Sequence, residues 1–407
     1  MEIRPILSTL SRHKTAALLI VLEIALSCAI ICNALFIVSQ RMETMNMASG
    51  LSEDRLILIG MSGIGNQSDA EARTAEDIVS LRAIPGVESV SMSNQVPFQN
   101  GSWNTSLAIS PEPDAKSANG AQYMVSENAL KTMGLTLSAG RDFTSDEYKS
   151  SKALEEGTDL SIWRSPVLVS AAFAKALFPD GNAIGKTAYM AGTPVTIVGV
   201  VETLARPNQM SGDRTRSVLF PIRMTYNNGG RYVIRVTDPG RRDEILKQAK
   251  AVLDKNDPNR LSWIEKTFEQ SRAEYFANDR DMIGLLLMVS GLLLLVTALG
   301  IIGLASFWVQ QRTKQIGIRR ALGATRGQIL RYFLTENFLL ASIGIVVGML
   351  LAYLLNQWLM GRYELPRLPL MYLPVGAVLL WLLGQIAVFG PARKAAAIPP
   401  AVATRSA

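Results

Sequence analysis

Four runs of apolar residues constrain this chain more than any other feature: about Thr15–Val38, Met282–Val309, Phe333–Leu359 and Leu370–Phe389. Each reaches the roughly 20 residues that an α-helix needs to cross a bilayer core. Composition agrees with a membrane protein, since 48% of the 407 residues are hydrophobic and only 18% are charged. The first run exceeds the usual signal-peptide core of roughly 7–15 residues and no A-x-A cleavage site follows it. It is therefore expected to stay as a span.

The residue inventory excludes several chemistries. The single histidine, His13, precedes the first run, and both cysteines, Cys28 and Cys32, lie inside it. The polar segment 39–281 thus has neither residue type, which removes His-based triads, Cys nucleophiles, His/Cys zinc sites and disulfides from it. No carboxylate pair stands out by spacing. No catalytic residue and no metal site is expected, and the chain is not expected to be an enzyme.

Charge reports topology. The net charge is +7, yet segment 39–281 holds 27 Lys and Arg against 30 Asp and Glu. The excess sits beside the apolar runs: Arg4, Arg12 and Lys14 before the first, Arg312, Lys314, Arg319, Arg320, Arg326 and Arg331 between the second and third, and Arg393, Lys394 and Arg405 after the fourth. Short loops rich in Lys and Arg remain in the cytoplasm. This predicts a cytoplasmic N-terminus (1–14), spans at 15–38, 282–309, 333–359 and 370–389, an outside domain at 39–281, a cytoplasmic loop at 310–332, a short outside loop at 360–369 and a cytoplasmic tail at 390–407. The basic excess is thereby accounted for, and no nucleic-acid partner is expected.

The outside segment carries an internal echo. Leu56–Met61, Thr74–Ile84 and Glu88–Val96 read as strand, helix and strand, and so do Arg231–Thr237, Arg242–Leu253 and Arg260–Lys266. Two β-α-β units at the ends of one segment predict an α+β domain: a split, ferredoxin-like layer with an inserted α/β subdomain at about 97–230. No proline occurs between Pro258 and Pro366, so Thr267–Gln311 is expected as one helix on the order of 65 Å long at about 1.5 Å per residue. Its polar outer part, paired with Ser39–Ala48, would form a helical stalk on a four-helix transmembrane base.

Gly181-Asn-Ala-Ile-Gly185-Lys186-Thr187 resembles a phosphate-binding P-loop but has three residues, not four, before its Gly-Lys pair. A turn into the next strand is expected. In the loop 310–332, Ile316, Ile318 and Leu322 alternate with basic residues, and Gly323 with Thr325-Arg326-Gly327 marks a break. Such a short amphipathic segment is either a basic hairpin on the lipid surface or a docking surface for a cytosolic partner. Small residues recur at Gly284, Gly291, Ala298 and Ala305, and Gly344 and Gly348 form G-x-x-x-G. Both patterns suit close helix packing, within the chain or between two chains. Glu23 and Glu336 lie inside apolar runs, about two turns from their cytoplasmic ends, and are expected to be structural.

The layout of one span, a large outside domain and three further spans resembles the MacB/FtsX/LolC-type ABC transporter permeases. So do the loop I-G-I-R-R-A-L-G-A-T-R-G at 316–327 and the closing Pro391-Ala-Arg393-Lys394-Ala-Ala-Ala-Ile-Pro399-Pro400-Ala-Val. Gly140-Arg141-Asp142-Phe143-Thr144, Leu177-Phe178 with Ile184-Gly185-Lys186, and Val198-Gly199-Val200-Val201 are similar to further motifs of that family. The family often has an acidic residue before I-G-I-R, where this chain has Gln315.

The resemblance implies a MacB-like permease in a bacterial inner membrane, working by transmitted motion. ATP and Mg²⁺ would be bound by a separate ABC ATPase subunit, and no cofactor is expected in this chain. Coupling would fall on Ile316, Ile318, Arg319, Arg320, Leu322, Gly323 and Arg326. A second permease, identical or related, is implied, together with membrane lipid, a periplasmic adaptor and an outer-membrane channel, for export of a periplasmic substrate. The same layout also serves lipoprotein extraction and regulation of cell-wall hydrolases. A sensor or scaffold without transport is the rival from a different class.

Overall fold

The computed structural model describes residues 14–64, 69–152, 160–208, 213–363 and 367–399. Arg4, Arg12, His13, Pro366, Pro400 and Arg405 lie outside these. The chain divides into two compact units, residues 47–277 and a second unit made of residues 1–46 with 278–407.

In the 47–277 unit the strands are β1 (Leu56–Gly63), β2 (Val87–Ser93), β3 (Asn104–Ala108), β4 (Ser117–Val125), β5 (Leu137–Gly140), β6 (Lys149–Ser150), β7 (Pro166–Ser170), β8 (Thr187–Met190), β9 (Thr193–Val201), β10 (Ser217–Arg223), β11 (Arg231–Val236) and β12 (Arg260–Thr267). The first layer runs β12-β1-β11-β2 with every neighbour antiparallel; Leu58 faces Val233 on one side and Lys266 on the other. The helices Ala70–Arg82 and Arg242–Asn256 connect β1 to β2 and β11 to β12. Period-2 alternation places Ile57, Ile59 and Met61 in one core with Leu81 and Leu253 of those helices.

The segment between β2 and β11 builds a separate core. Its pairings close a ring, β4-β3-β8-β9-β7-β10 and back to β4. Leu107, Val169, Phe173, Ile197 and Phe220 fill it. This insert is mainly β; besides the ring, the seven-residue helix Ala171–Leu177 packs into its core, so the expected α/β character is carried by little helix. The motif residues here have structural reasons. Gly140 sits at φ +80°, and a Cβ there would stand 2.2 Å from the Val198 carbonyl oxygen. Arg141 pairs with Glu147 at 2.5 Å, and Thr144 closes a capping box with Glu147. The P-loop-like stretch is a turn into β8, with Lys186 Nζ 4.5 Å above the Phe178 ring.

A buried ionic network ties the two helices to the first layer. The Asp77 carboxylate accepts from Arg260 at Nη1 and at Nη2 (3.2 Å), from Tyr232 Oη, and from Asn256 Nδ2 at 2.9 Å. Each removed partner would leave a desolvated group unpaired, which is why such networks are sensitive to truncation.

The single helix expected over 267–311 is two. Phe268–Tyr275 starts at Thr267, whose side chain closes a capping box with Gln270, and it stops at Phe276 (φ −92°, ψ 11°). The Phe276 ring packs 5.2 Å from that of Phe98, and Arg272 stacks 4.5 Å from the same Phe98 ring. Burying these aromatics against the 47–277 unit outweighs one turn of helix continuity. The second helix then runs Ala277–Gln311.

In the other unit, four helices among the described residues are long and apolar enough to cross a membrane: Ala17–Met45, Ala277–Gln311, Arg326–Trp358 and Tyr372–Ala396. The first packs against the third and fourth through Ile24, Cys28, Leu340, Ile345 and Leu380. Gly344 and Gly348 face the first helix, where Cβ atoms would meet Ile24 Cβ at 2.9 Å and Cys28 Cβ at 2.5 Å. G-x-x-x-G here therefore serves packing within the chain. The second helix is held at its C-terminal half. Ser27 and Thr297 share a 2.8 Å hydrogen bond, the Glu23 carboxylate occupies the notch at Gly300, and Ala305 is buried while Ala298 packs against the same core. Gly284 and Gly291, the other half of that heptad stripe, have open space where a Cβ would be.

Candidate functional site

The segment after the second apolar helix is short, basic and rigidly seated. Helix Ala277–Gln311 breaks at Arg312 (φ −100°, ψ 9°), and a nine-residue helix, Thr313–Ala321, follows. Its end is a Schellman turn: Gly323 at φ +95° donates its N–H to the Arg320 carbonyl (3.1 Å), and Ala324 donates to Arg319 (3.0 Å). Glycine is required there because the left-handed region penalises any Cβ. One residue on, Thr325 opens the third helix with a capping box to Gln328, at 2.9 and 3.2 Å. The string G-A-T-R-G-Q is thus a helix stop and a helix start written back to back.

Two polar contacts fix this short helix to its neighbours. At its root, Arg312 Nη1 donates to both carboxylate oxygens of Glu336, each at 2.9 Å, with the two side chains 8% and 2% exposed. The Trp308 ring lies 5.6 Å from the same guanidinium. Near its end, Arg320 Nη1 donates to the Ala396 carbonyl at 3.2 Å, which satisfies an orphan acceptor at the C-terminus of the fourth helix. A carboxylate in an apolar span is costly unless paired, and Glu336 has found a basic neighbour.

The seven coupling candidates divide by exposure. Ile316 is 5% exposed and belongs to the core of its own unit, so it is not a knob for a partner. Arg320 is half-buried on Ala396. Ile318 (47% exposed), Arg319, Leu322 (84% exposed), Gly323 and Arg326 lie on the surface. A leucine left open at a helix end, amid cations and with Arg326 opposing the positive end of the next helix dipole, is poorly explained by folding of this chain alone.

Sequence reasoning overlooked Arg312 as a site residue. The available signal was Glu336, an acid in an apolar run, with the first cation of the preceding loop 24 residues before it. It also gave no hint of a cavity of about 580 Å³ in the 47–277 unit, lined by Glu71, Ile78, Val79, Arg82, Glu127 and Arg223. That cavity joins the helix Ala70–Arg82 to the insert, segments far apart in the chain.

Comparison with known proteins identifies the class. The MacB-like periplasmic core domain matches residues 17–252, and the FtsX-like permease C-terminal domain matches residues 287–400. The chain belongs to the MacB/FtsX-type ABC transporter permease family. It is 26% identical over 338 residues to the ABC transporter permease YknZ of Bacillus subtilis, covering 82% of this chain and 79% of that one. It is 25% identical over 296 residues to the macrolide export ATP-binding/permease protein MacB of Chromobacterium violaceum, covering 69% of this chain but only 42% of that one. The crystal structure of the periplasmic region of MacB from Actinobacillus actinomycetemcomitans aligns with a TM-score of 0.32 at 17% identity, over 55% of this chain and 94% of that one. Permeases of this family are the membrane components of ABC transporters, which implies an ATPase partner.

Proposed function

We propose that this chain is the permease subunit of a MacB-like ABC transporter. In this reading it couples ATP hydrolysis in a separate ATPase subunit to movement of its periplasmic domain, for export of a periplasmic substrate. The observation that carries the proposal is the short helix Thr313–Ala321. It presents Ile318 and Arg319 to solvent, with Leu322 at its C-cap and Arg326 at the start of the next helix exposed beside them, while Arg312–Glu336 and Arg320–Ala396 fasten it. A pushed helix transmits force only if it is fastened to what it must move. These two contacts fasten it to the third and fourth membrane helices.

The N- and C-termini and this loop lie in the cytoplasm in the proposed orientation, supported by the Lys/Arg bias of the short loops. The strand order β12-β1-β11-β2, with one helix crossing within each half, supports the split ferredoxin-like reading of the outer layer. ATP and Mg²⁺ belong to the partner subunit. A second permease is proposed on the open side of the second membrane helix, where a Cβ on Gly284 or Gly291 would meet nothing within 4 Å among the described residues. An adaptor and an outer-membrane channel complete the proposed route, and membrane lipid surrounds the spans.

The test is purification in mild detergent from native membranes, with mass-spectrometric identification of what accompanies the chain. An ATPase in near-equal amount is expected. Ile318→Ser with Leu322→Asp should abolish both its retention and the stimulation of its ATPase activity while leaving the thermal melt of the permease unchanged. Normal stimulation in that variant would refute the docking role.

A further inference from the structure

Arg312 has more donors than Glu336 uses. Its Nη1 serves the carboxylate, but its Nη2 is buried and has no acceptor among the described residues. A recess of about 40 Å³ opens between the short helix and the start of the third membrane helix, bounded by Arg312, Gln315, Ile316, Arg319, Ile329 and Tyr332. One water needs only about 10–15 Å³ on this measure, so the recess has room for a larger polar group. Arg319 stands over the Tyr332 ring at 5.1 Å and meets no carboxylate among the described residues. Gln315 on the rim is neutral and exposed.

The charge of the recess selects its ligand. Arg312 and Glu336 cancel, and Arg319 leaves a formal charge of about +1, which one phosphodiester balances. Guanidinium donors are planar and suited to paired contacts with phosphate oxygens. Around them, residues 312–335 carry six Lys and Arg and no Asp or Glu, which disfavours a headgroup bearing its own cation. The recess begins three residues past the apolar run ending at Val309, at the level where headgroups meet a span. Ile329, Ile316 and the Tyr332 ring supply an apolar wall beside the donors.

We propose that this recess is a binding site for the phosphate of an anionic lipid headgroup, held by the Arg319 guanidinium with Arg312 in the wall beside it. A bound lipid would join the root of the short helix to the third membrane helix, so that the composition of the leaflet governs how firmly the two move together.

The experiment titrates the full-length protein, stripped of lipid in detergent, with phosphatidylglycerol and counts retained lipid by native mass spectrometry. Wild type should retain one phosphatidylglycerol that Gln315→Glu and Arg319→Gln each bind about tenfold or more weakly, the scale of one charge-assisted hydrogen bond. Arg319→Lys should restore part of the binding, and phosphatidylcholine should not substitute. Both substituted positions are exposed, and a thermal melt of each variant establishes that it is folded. Equal retention by wild type and folded variants would overturn the site. Displacement of the lipid by inorganic phosphate at the same concentration would assign the recess to the free anion and overturn the lipid assignment. No ATPase is present, so failure here leaves the docking proposal standing.

Discussion

Consider the removal of Glu336. Its carboxylate takes both hydrogen bonds of Arg312 Nη1, and both side chains are more than nine-tenths buried. Desolvating two ions consumes most of their mutual attraction, so the intact pair contributes little net stability compared with an apolar pair of equal size. Removing one partner is different. Glu336→Ala strands a buried guanidinium whose Nη2 already lacks an acceptor among the described residues, and the expected loss is about 3–5 kcal/mol. That is roughly two to nearly four decades in the folded-to-unfolded ratio. Arg312→Met with Glu336→Met should recover most of it, because no charge is left unpaired. The assay is unfolding of the full-length protein in mixed micelles of rising denaturing-detergent fraction, followed by circular dichroism. A Glu336→Ala variant within about 1 kcal/mol of wild type would refute the reasoning, and so would a double variant as unstable as the sum of the singles. If the pair also fastens the short helix for coupling, the double variant will be stable yet poorly stimulate its ATPase.

Asp77→Ala should raise hydrogen exchange in β11 and β12 by about two decades or more, since it strands buried Arg260 together with Tyr232 Oη and Asn256 Nδ2; exchange unchanged from wild type would contradict the network's role. The Arg141 hydrogen bond holds the Glu147 carboxyl down to about 2 from its usual 4.5. Because the folded value is the lower one, its contribution is present above pH 4.5 and is lost as pH falls toward 2. Glu147→Gln should flatten that part of an acid-unfolding curve, and an unaltered curve would count against the pairing. Gly348→Ile should destabilise the membrane unit by about 1–3 kcal/mol through overpacking on Cys28. Gly284→Ile should leave the melt of the isolated chain unchanged and weaken its association with a second permease; a strong loss of stability would show that the site is already filled within the chain.

Much of this protein was legible in its residues because the bilayer imposes simple rules. Spans follow from apolar length, and the break at Gly323 and Thr325 follows from local backbone chemistry, which acts within a few residues. The two β-α-β halves were visible for the same reason, since periodicity and turn residues are local. Non-local outcomes were not visible. The closed ring of the insert depends on pairings such as β4 with β10, nearly a hundred residues apart. The break at Phe276 depends on where Phe98 lies.

The candidate site shows the same division most sharply. Sequence pattern marked the loop 310–332 as an amphipathic basic element, with Ile316, Ile318 and Leu322 as its apolar members. Only tertiary structure separated them, burying Ile316 in its own core and leaving Leu322 open, because a helix face is assigned by what packs against it. Charge bias along the chain determined a cationic loop after the second span. The partnership of Arg312 with Glu336, and the buried donor it leaves unused among the described residues, was decided by helix packing, which brings together groups that the chain holds a full loop apart.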